Sequence, residues 1–257
     1  MDKVTNVAVQ FSNTASKCEH CGKQYVEKDY NAGKFGIKKI SAPDCGCISR
    51  IEEEKQAKQE AEKKQAFIKN IYGKSDIGPK FMKCTFENWV RRPELENSFK
   101  AARKFATEFK RPSGLYLVGT TRTGKTHLVA ASSHKLIEQG KVVIFWNENE
   151  LLDKVNYKDH DHPLYITNIL KHIKMADVVV LNDIGKKAYN ETRESTLFSV
   201  IDTIDNWDVA LMATMNPEAS KKLDETETLR TVKARIEEIC WGNMHYIQAQ
   251  SYYELKR

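Results

Sequence analysis

No stretch of these 257 residues approaches the roughly 20 consecutive apolar side chains that a bilayer-spanning helix needs. Residues 1–13 lack the apolar core of a secretion signal and read as a loose arm. These two absences argue against a membrane partner and make the cytoplasm the expected location. Disulfides are rare there, so the six cysteines need another explanation. No segment recurs at a fixed period, which argues against solenoids and propellers. Arg50 to Lys69 has almost no large apolar side chain. Its Glu, Lys, Gln and Ala favour a helix, and Glu54 with Lys58 and Glu60 with Lys64 add pairs four apart. That helix has neither an apolar stripe to bury nor a heptad for a coiled coil, so it reads as a solvated connector of roughly 30 Å. The net charge of +6 permits contact with nucleic acid without requiring it.

Four of the cysteines fall early in the chain, as Cys18-x-x-Cys21 and Cys45-x-Cys47. Two thiol pairs separated by a loop suit one tetrahedral Zn²⁺, and a module this small needs such a cross-link to fold. No βαβ pattern surrounds them, which disfavours a redox role. His20 is a bystander between two ligands, and Cys84 and Cys240 read as core. The boundaries that follow are a zinc-binding module over 1–48, a charged helical linker over 49–78 ending near Gly73 and Gly78-Pro79, and a larger domain over 79–257.

The larger domain alternates short apolar strands with helices, the pattern of an α/β fold with a parallel sheet covered on both faces. Strands are expected at 115–119, 142–146, 178–181, 209–215 and 245–249. The first runs into Gly119-Thr120-Thr121-Arg122-Thr123-Gly124-Lys125-Thr126-His127. Strand, glycine-bounded loop and helix in that order make a phosphate-binding loop. Gly119 turns the chain off the strand, and Gly124 lets backbone N–H groups approach phosphate oxygens. Lys125 would meet the β- and γ-phosphates of ATP, and Thr126 would offer its hydroxyl to Mg²⁺. The helix N-terminus adds its dipole. At the end of another strand, Val178-Val179-Val180-Leu181-Asn182-Asp183 places polar groups where parallel sheets hold ligands. Asp183 suits alignment of an attacking water. Asn182 stands where a metal-organising Asp is usual, so slow hydrolysis is expected. Asn216, ending the next strand, suits a γ-phosphate sensor, and Arg235 a guanidinium that reaches a neighbouring subunit's phosphate.

These motifs resemble the AAA+ helicase-loader family, the DnaC/DnaI type with its IstB-like transposition relatives. The likeness runs through residues 80–250 and is carried by Gly124-Lys125-Thr126-His127-Leu128, Asn182-Asp183-Ile184-Gly185, Thr214-Met215-Asn216 and Lys233-Ala234-Arg235-Ile236. It implies an AAA+ P-loop domain with a central five-stranded parallel sheet, and an N-terminal zinc module that binds a replicative DNA helicase. It further implies self-association through the ATPase domain and single-stranded DNA in a central channel. Lys154, Lys158, Lys171, Lys174, Lys186, Lys187 and Tyr189 are candidate DNA contacts by position. Two departures stand out. Asn182 replaces an Asp, and Thr121 and Arg122 replace the Pro and Gly common inside the loop. The second change is expected to alter loop flexibility more than phosphate contact. A DNA-remodelling ATPase of the transposition branch and a P-loop small-molecule kinase are the alternative readings. The kinase reading lacks a clear lid.

Overall fold

The computed structural model describes residues 17–31, 37–43, 45–71, 81–155, 157–161 and 164–252. The loose arm at 1–13 and the boundary glycines Gly73 and Gly78 lie outside the described residues. The chain divides into two compact units, Met1–Gln59 and Glu60–Arg257.

In the first unit, strands β1 (Tyr25–Asn31) and β2 (Ile37–Pro43) pair antiparallel, Tyr25 opposite Pro43 and Asn31 opposite Ile37. The stretch between the two thiol pairs thus carries an antiparallel hairpin. Gly22 and Gly46 take left-handed φ of 72° and 64° just after Cys21 and Cys45, and so turn the chain back at each thiol pair. Cys47 opens α1 (Cys47–Ile71), longer than the expected 50–69 helix.

Toward its C-terminal end α1 departs from the solvated connector read from its composition. Within the second unit, Gln65 presents its side-chain amide to strand β4 (Val143–Asn147) as though it were another strand. Its Oε1 accepts from Val143 N–H at 2.8 Å and its Nε2 donates to Val143 O at 3.1 Å. Ala61 packs on the core, and Phe67 meets the ring of His172 edge-on at 5.5 Å. The apolar stripe is absent because an amide and two isolated apolar side chains make these contacts.

The second unit is built on one parallel sheet of β4, β5 (Val178–Ile184), β6 (Ala210–Met215), β3 (Gly114–Gly119) and β7 (Met244–Ile247), in that order across it. Pro93–Leu95 forms a short 3₁₀ turn that hands over to α2 (Glu96–Thr107). Between strands run α3 (Lys125–Glu138), α4 (Glu148–Lys154), α5 (Ile166–Met175), α6 (Glu191–Asn206), α7 (Pro217–Lys222) and α8 (Glu227–Ile239). Alternate strand residues supply two cores. Leu115, Leu117, Phe145 and Val180 pack with the buried side chains of α2 and α3. Tyr116, Val118, Trp146 and Leu181 pack with those of α5, α6 and α8. Central strands buried on both faces explain why their sequences are continuously apolar. This is the AAA+ P-loop architecture, with the tips of β3, β5 and β6 converging at the C-terminal side of the sheet. Among the described residues no helix is long and apolar enough to cross a membrane.

Candidate functional site

The phosphate loop leaves β3 at Gly119, where a Cβ would come within 2.7 Å of the Ile247 carbonyl on β7. A side chain there would push the two strands apart. Gly124 caps α3 with φ +98°, and the Trp89 indole lies directly against it. A Cβ at this position would fall 2.5 Å from Trp89 Cη2. Trp89 in turn packs edge-on to His127, with ring centroids 5.0 Å apart. His127 donates its Nε2–H to Thr85 O at 2.9 Å, which clasps the segment before α2 onto α3. Arg122 adopts φ 65°, the left-handed region a glycine would occupy without strain. Its carbonyl accepts from Tyr252 N at 3.1 Å, so the segment after β7 crosses the loop. Arg92 braces that crossing by donating to Gln250 O at 2.9 Å.

Lys125 is buried, and its ammonium is held by three neutral oxygens: Gly119 O at 2.7 Å, Thr120 O at 2.8 Å and Asn216 Oδ1 at 3.0 Å. Burial lowers its pKa to about 8, while the nearby Asp183 carboxylate acts in the opposite direction. A desolvated cation surrounded by dipoles, beside the N-terminus of α3, is a site that favours an incoming anion. The residues therefore fit a nucleotide triphosphate. Asn216 also reaches Thr121 Oγ1 with its Nδ2 at 3.4 Å, so the expected sensor already touches the loop it would report on.

At the tip of β5, pairing with β6 slips between Leu181 and Ile184, and Asp183 sits in the slip with a left-handed φ of 58°. Bulges of this kind re-aim a side chain beside an active site. Thr214, named above only as part of the sensor strand, and Asn149, not singled out from the sequence, hold Asp183 there. Thr214 Oγ1 on β6 accepts from Asp183 N–H at 2.8 Å and donates to Asn182 Oδ1 at 2.9 Å. Asn149 on α4 donates its Nδ2 to Asp183 O at 3.4 Å. Its Oδ1 accepts from Lys187 N at 3.1 Å and from Arg193 Nη2 at 3.0 Å. Thr214 takes one lone pair of the buried Asn182 carbonyl oxygen, which leaves this position a neutral amide. A metal-bound water could still donate to that oxygen, but it would meet none of the negative charge that a carboxylate supplies.

Beneath this tip lies a polar cluster on the α4–α6 side. Glu148 is fully buried, and burial raises its pKa to about 7. The Tyr189 hydroxyl is close enough to steady the carboxylate, yet neither group forms a well-directed hydrogen bond. Arg193 pairs with Asp153, which also holds Lys187. Lys187 and Tyr189, candidate DNA contacts by sequence position, are thus engaged inside the domain, and the Tyr189 hydroxyl is buried. Lys174 stacks over Trp207 at 4.4 Å. Arg235 is paired with Asp202 and lies over the Phe198 ring at 5.0 Å, with its side chain 28% exposed. It does not meet the loop residues of its own subunit.

In the first unit the sulfurs of Cys18, Cys21, Cys45 and Cys47 all lie within 4.8 Å of one another. A tetrahedron with Zn–S bonds of about 2.3 Å puts sulfurs about 3.8 Å apart, so the cluster fits Zn²⁺ with a slight contraction. Backbone N–H groups of His20 and Cys21 point at Cys18 and lower its thiol pKa to about 6, as a thiolate ligand requires. Arg50 donates to Cys47 Sγ at 3.3 Å, and this contact raises the guanidinium pKa.

Residues 104–219 match the family described as IstB-like ATP binding protein. The replicative helicase loader DnaC of Buchnera aphidicola subsp. Schizaphis graminum is 24% identical over 144 residues, which are 55% of this chain and 58% of that protein. The chain spans about three-fifths of the length of the curated relatives it matches. A crystal structure of the DnaC helicase loader has a TM-score of 0.57 at 20% identity, covering 66% of this chain and 100% of that one. A crystal structure of DnaI gives 0.56 at 18%, covering 67% and 94%. At such identities the structural likeness speaks for the fold alone. Motifs, family match and architecture agree: residues 104–219 carry an IstB-like ATP-binding region on an AAA+ P-loop fold, and the chain is similar to DnaC-type helicase loaders.

Proposed function

We propose that this chain is an ATP-controlled adaptor that binds a replicative hexameric helicase through residues 1–48 and delivers it onto single-stranded DNA. Its role belongs to DNA replication, in keeping with the relatives it resembles. The observation that carries the reading is the desolvated Lys125, linked through Asn216 to the neighbouring strand, in a chain that also holds a four-thiol cluster.

ATP with Mg²⁺ would supply a terminal phosphoryl group whose charge the protein senses. Gly119 to Thr126 would hold the phosphates, with Thr126 next to the metal. Lys125 would exchange neutral oxygens for phosphate and recover the charge stabilisation that burial removed. Releasing Asn216 from Lys125 would free its amide to report the γ-phosphate, and Thr121 would feel the change directly. Asp183, its backbone held by Thr214 and Asn149, would orient a water. The neutral amide of Asn182, in place of a carboxylate, makes hydrolysis slow, so bound nucleotide acts chiefly as a switch. Arg235 would reach a neighbouring subunit's nucleotide only after leaving Asp202, which couples self-association to nucleotide state. Zn²⁺ would tie the two thiol pairs into one helicase-binding module.

Immobilised full-length protein is expected to retain a replicative hexameric helicase. Cys18→Ser with Cys21→Ser should abolish retention. Lys125→Ala should retain the helicase but lose ATP-dependent loading in an unwinding assay. Retention that ignores the thiols, or loading that ignores Lys125, would refute the reading. A second reading is a DNA-remodelling ATPase of the IstB-like transposition branch, whose family model matches residues 104–219. It requires tighter binding to duplex than to single strands in a gel-shift comparison.

A further inference from the structure

At the opposite end of the sheet from Lys125, where β3 and β7 begin, a cleft of about 400 Å³ opens between the end of α2 and the turn into β7. Lys104, Phe109 and Lys110 line one side, and Gly242 and His245 the other. Lys104 and Lys110 are exposed, and among the described residues neither ammonium pairs with a carboxylate. Glu108 is the lone acid in the wall. Phe109 is half-buried, with Lys141 lying 5.7 Å over its ring.

Beside the wall residue Gly242, Trp241 leaves 84% of its surface in water, and on β7 Tyr246 leaves 69%. Folding gains little from an indole so placed, because its apolar surface stays in water. Exposed rings among unpaired cations are the composition of surfaces that bind nucleic acid single strands. Cations follow the phosphates and aromatic faces take the bases. A basic surface alone would suit an acidic peptide equally. The solvent-facing tryptophan favours a ligand with a flat face to stack.

We propose that this cleft is a nucleic-acid contact separate from the nucleotide end of the domain: Lys104 and Lys110 meet the phosphates of a single-stranded segment and Trp241 stacks on one of its bases. It presupposes the single-strand binding proposed above. It adds a place for that binding outside the loops at the tips of β4 and β5.

The experiment is a fluorescence-anisotropy titration of the full-length protein with a labelled oligothymidylate across a salt series. Trp241→Ala and the double variant Lys104→Gln/Lys110→Gln are compared with wild type. All these positions are exposed, and unchanged melting curves and unchanged binding of an ATP analogue verify the fold. Trp241→Ala is expected to weaken binding roughly tenfold. The lysine pair is expected to reduce the slope of log affinity against log salt by about 1.4, at about 0.7 for each phosphate no longer neutralised. Wild-type tryptophan emission should be quenched by the unlabelled oligomer, with most of the quench lost in Trp241→Phe. If wild type binds the oligomer and the variants match it in affinity, slope and quench, the cleft is overturned and single-strand binding stands. If wild type binds ATP analogue but no oligomer, both fall. Binding of a polyglutamate peptide that depends on the same lysines, without oligomer binding, would overturn the proposal in favour of an acidic protein partner.

Discussion

Thr214→Val tests whether one hydroxyl holds the β5 tip in shape. Valine keeps the volume and branching of threonine in a fully buried site but removes both hydrogen bonds. The Asp183 N–H loses its acceptor and the buried Asn182 carbonyl loses its donor. A buried polar group left unpaired costs about 1–3 kcal/mol. Asn182 is fully enclosed and Asp183 only half so, which places the sum near 3 kcal/mol. For a domain of this size that is a fall in Tm of roughly 6–12 °C. Thr214→Ser keeps the hydroxyl and loses only a methyl, so it should cost about 1 kcal/mol. The assay is urea denaturation of full-length protein followed by circular dichroism, with thermal melts alongside. In ATP-analogue binding Thr214→Val should stay near wild type, because Lys125 and the loop glycines do not depend on the hydroxyl. A Thr214→Val protein within 0.5 kcal/mol of wild type would refute the reasoning. So would a serine variant as damaged as the valine one.

Three further outcomes are expected. Asp183 holds φ 58°, a strain of about 1 kcal/mol for a residue with a Cβ, so Asp183→Gly should be more stable than Asp183→Ala by that amount in denaturant, although both lose the carboxylate. Glu148 titrates near 7 when folded against 4.5 in the open chain, so the folded state holds the extra proton and stability falls as pH rises from about 4.5 through 7. Glu148→Gln should remove that loss, matching wild type at pH 4 and exceeding it at pH 8 by up to about 3 kcal/mol, and a parallel pH dependence in the two proteins would count against the assignment. Removing zinc with a strong chelator should unfold residues 17–47, read as loss of amide-exchange protection in β1 and β2, while exchange in β3 and β5 stays unchanged. Equal loss in both sets would contradict independent units.

The phosphate loop and the five strands were legible because each leaves a local mark. Gly119 and Gly124 bracket a loop between an apolar run and a helix, and strands buried on both faces spell out continuous valine and leucine. The β1–β2 hairpin left no such mark, since Glu27 to Lys39 is polar and glycine-rich. Helix α7 was concealed by its shortness and by Asn216-Pro217, which reads equally well as a turn. The supports of Asp183 were harder still. Asn149 and Thr214 act on it through bonds that span 34 and 31 residues; Asn149 belongs to no motif of fixed spacing, and the sensor-strand motif that holds Thr214 says nothing of a bond to Asp183. Nor does charge along the chain reveal that Lys187 is neutralised by Asp153 and Arg235 by Asp202. Pairing across elements decides which exposed-looking cation is free.

The amide of Gln65 makes the sheet unequal at its two margins. At β4 an outward N–H and C=O are already occupied. At β7, on the far margin, no described strand pairs beyond it. An unpaired margin is a template for another chain, and fibrils need one on each side of every copy. Two copies joined through β7 would leave outward only the margins guarded by glutamine, so growth by strand addition would stop at a pair.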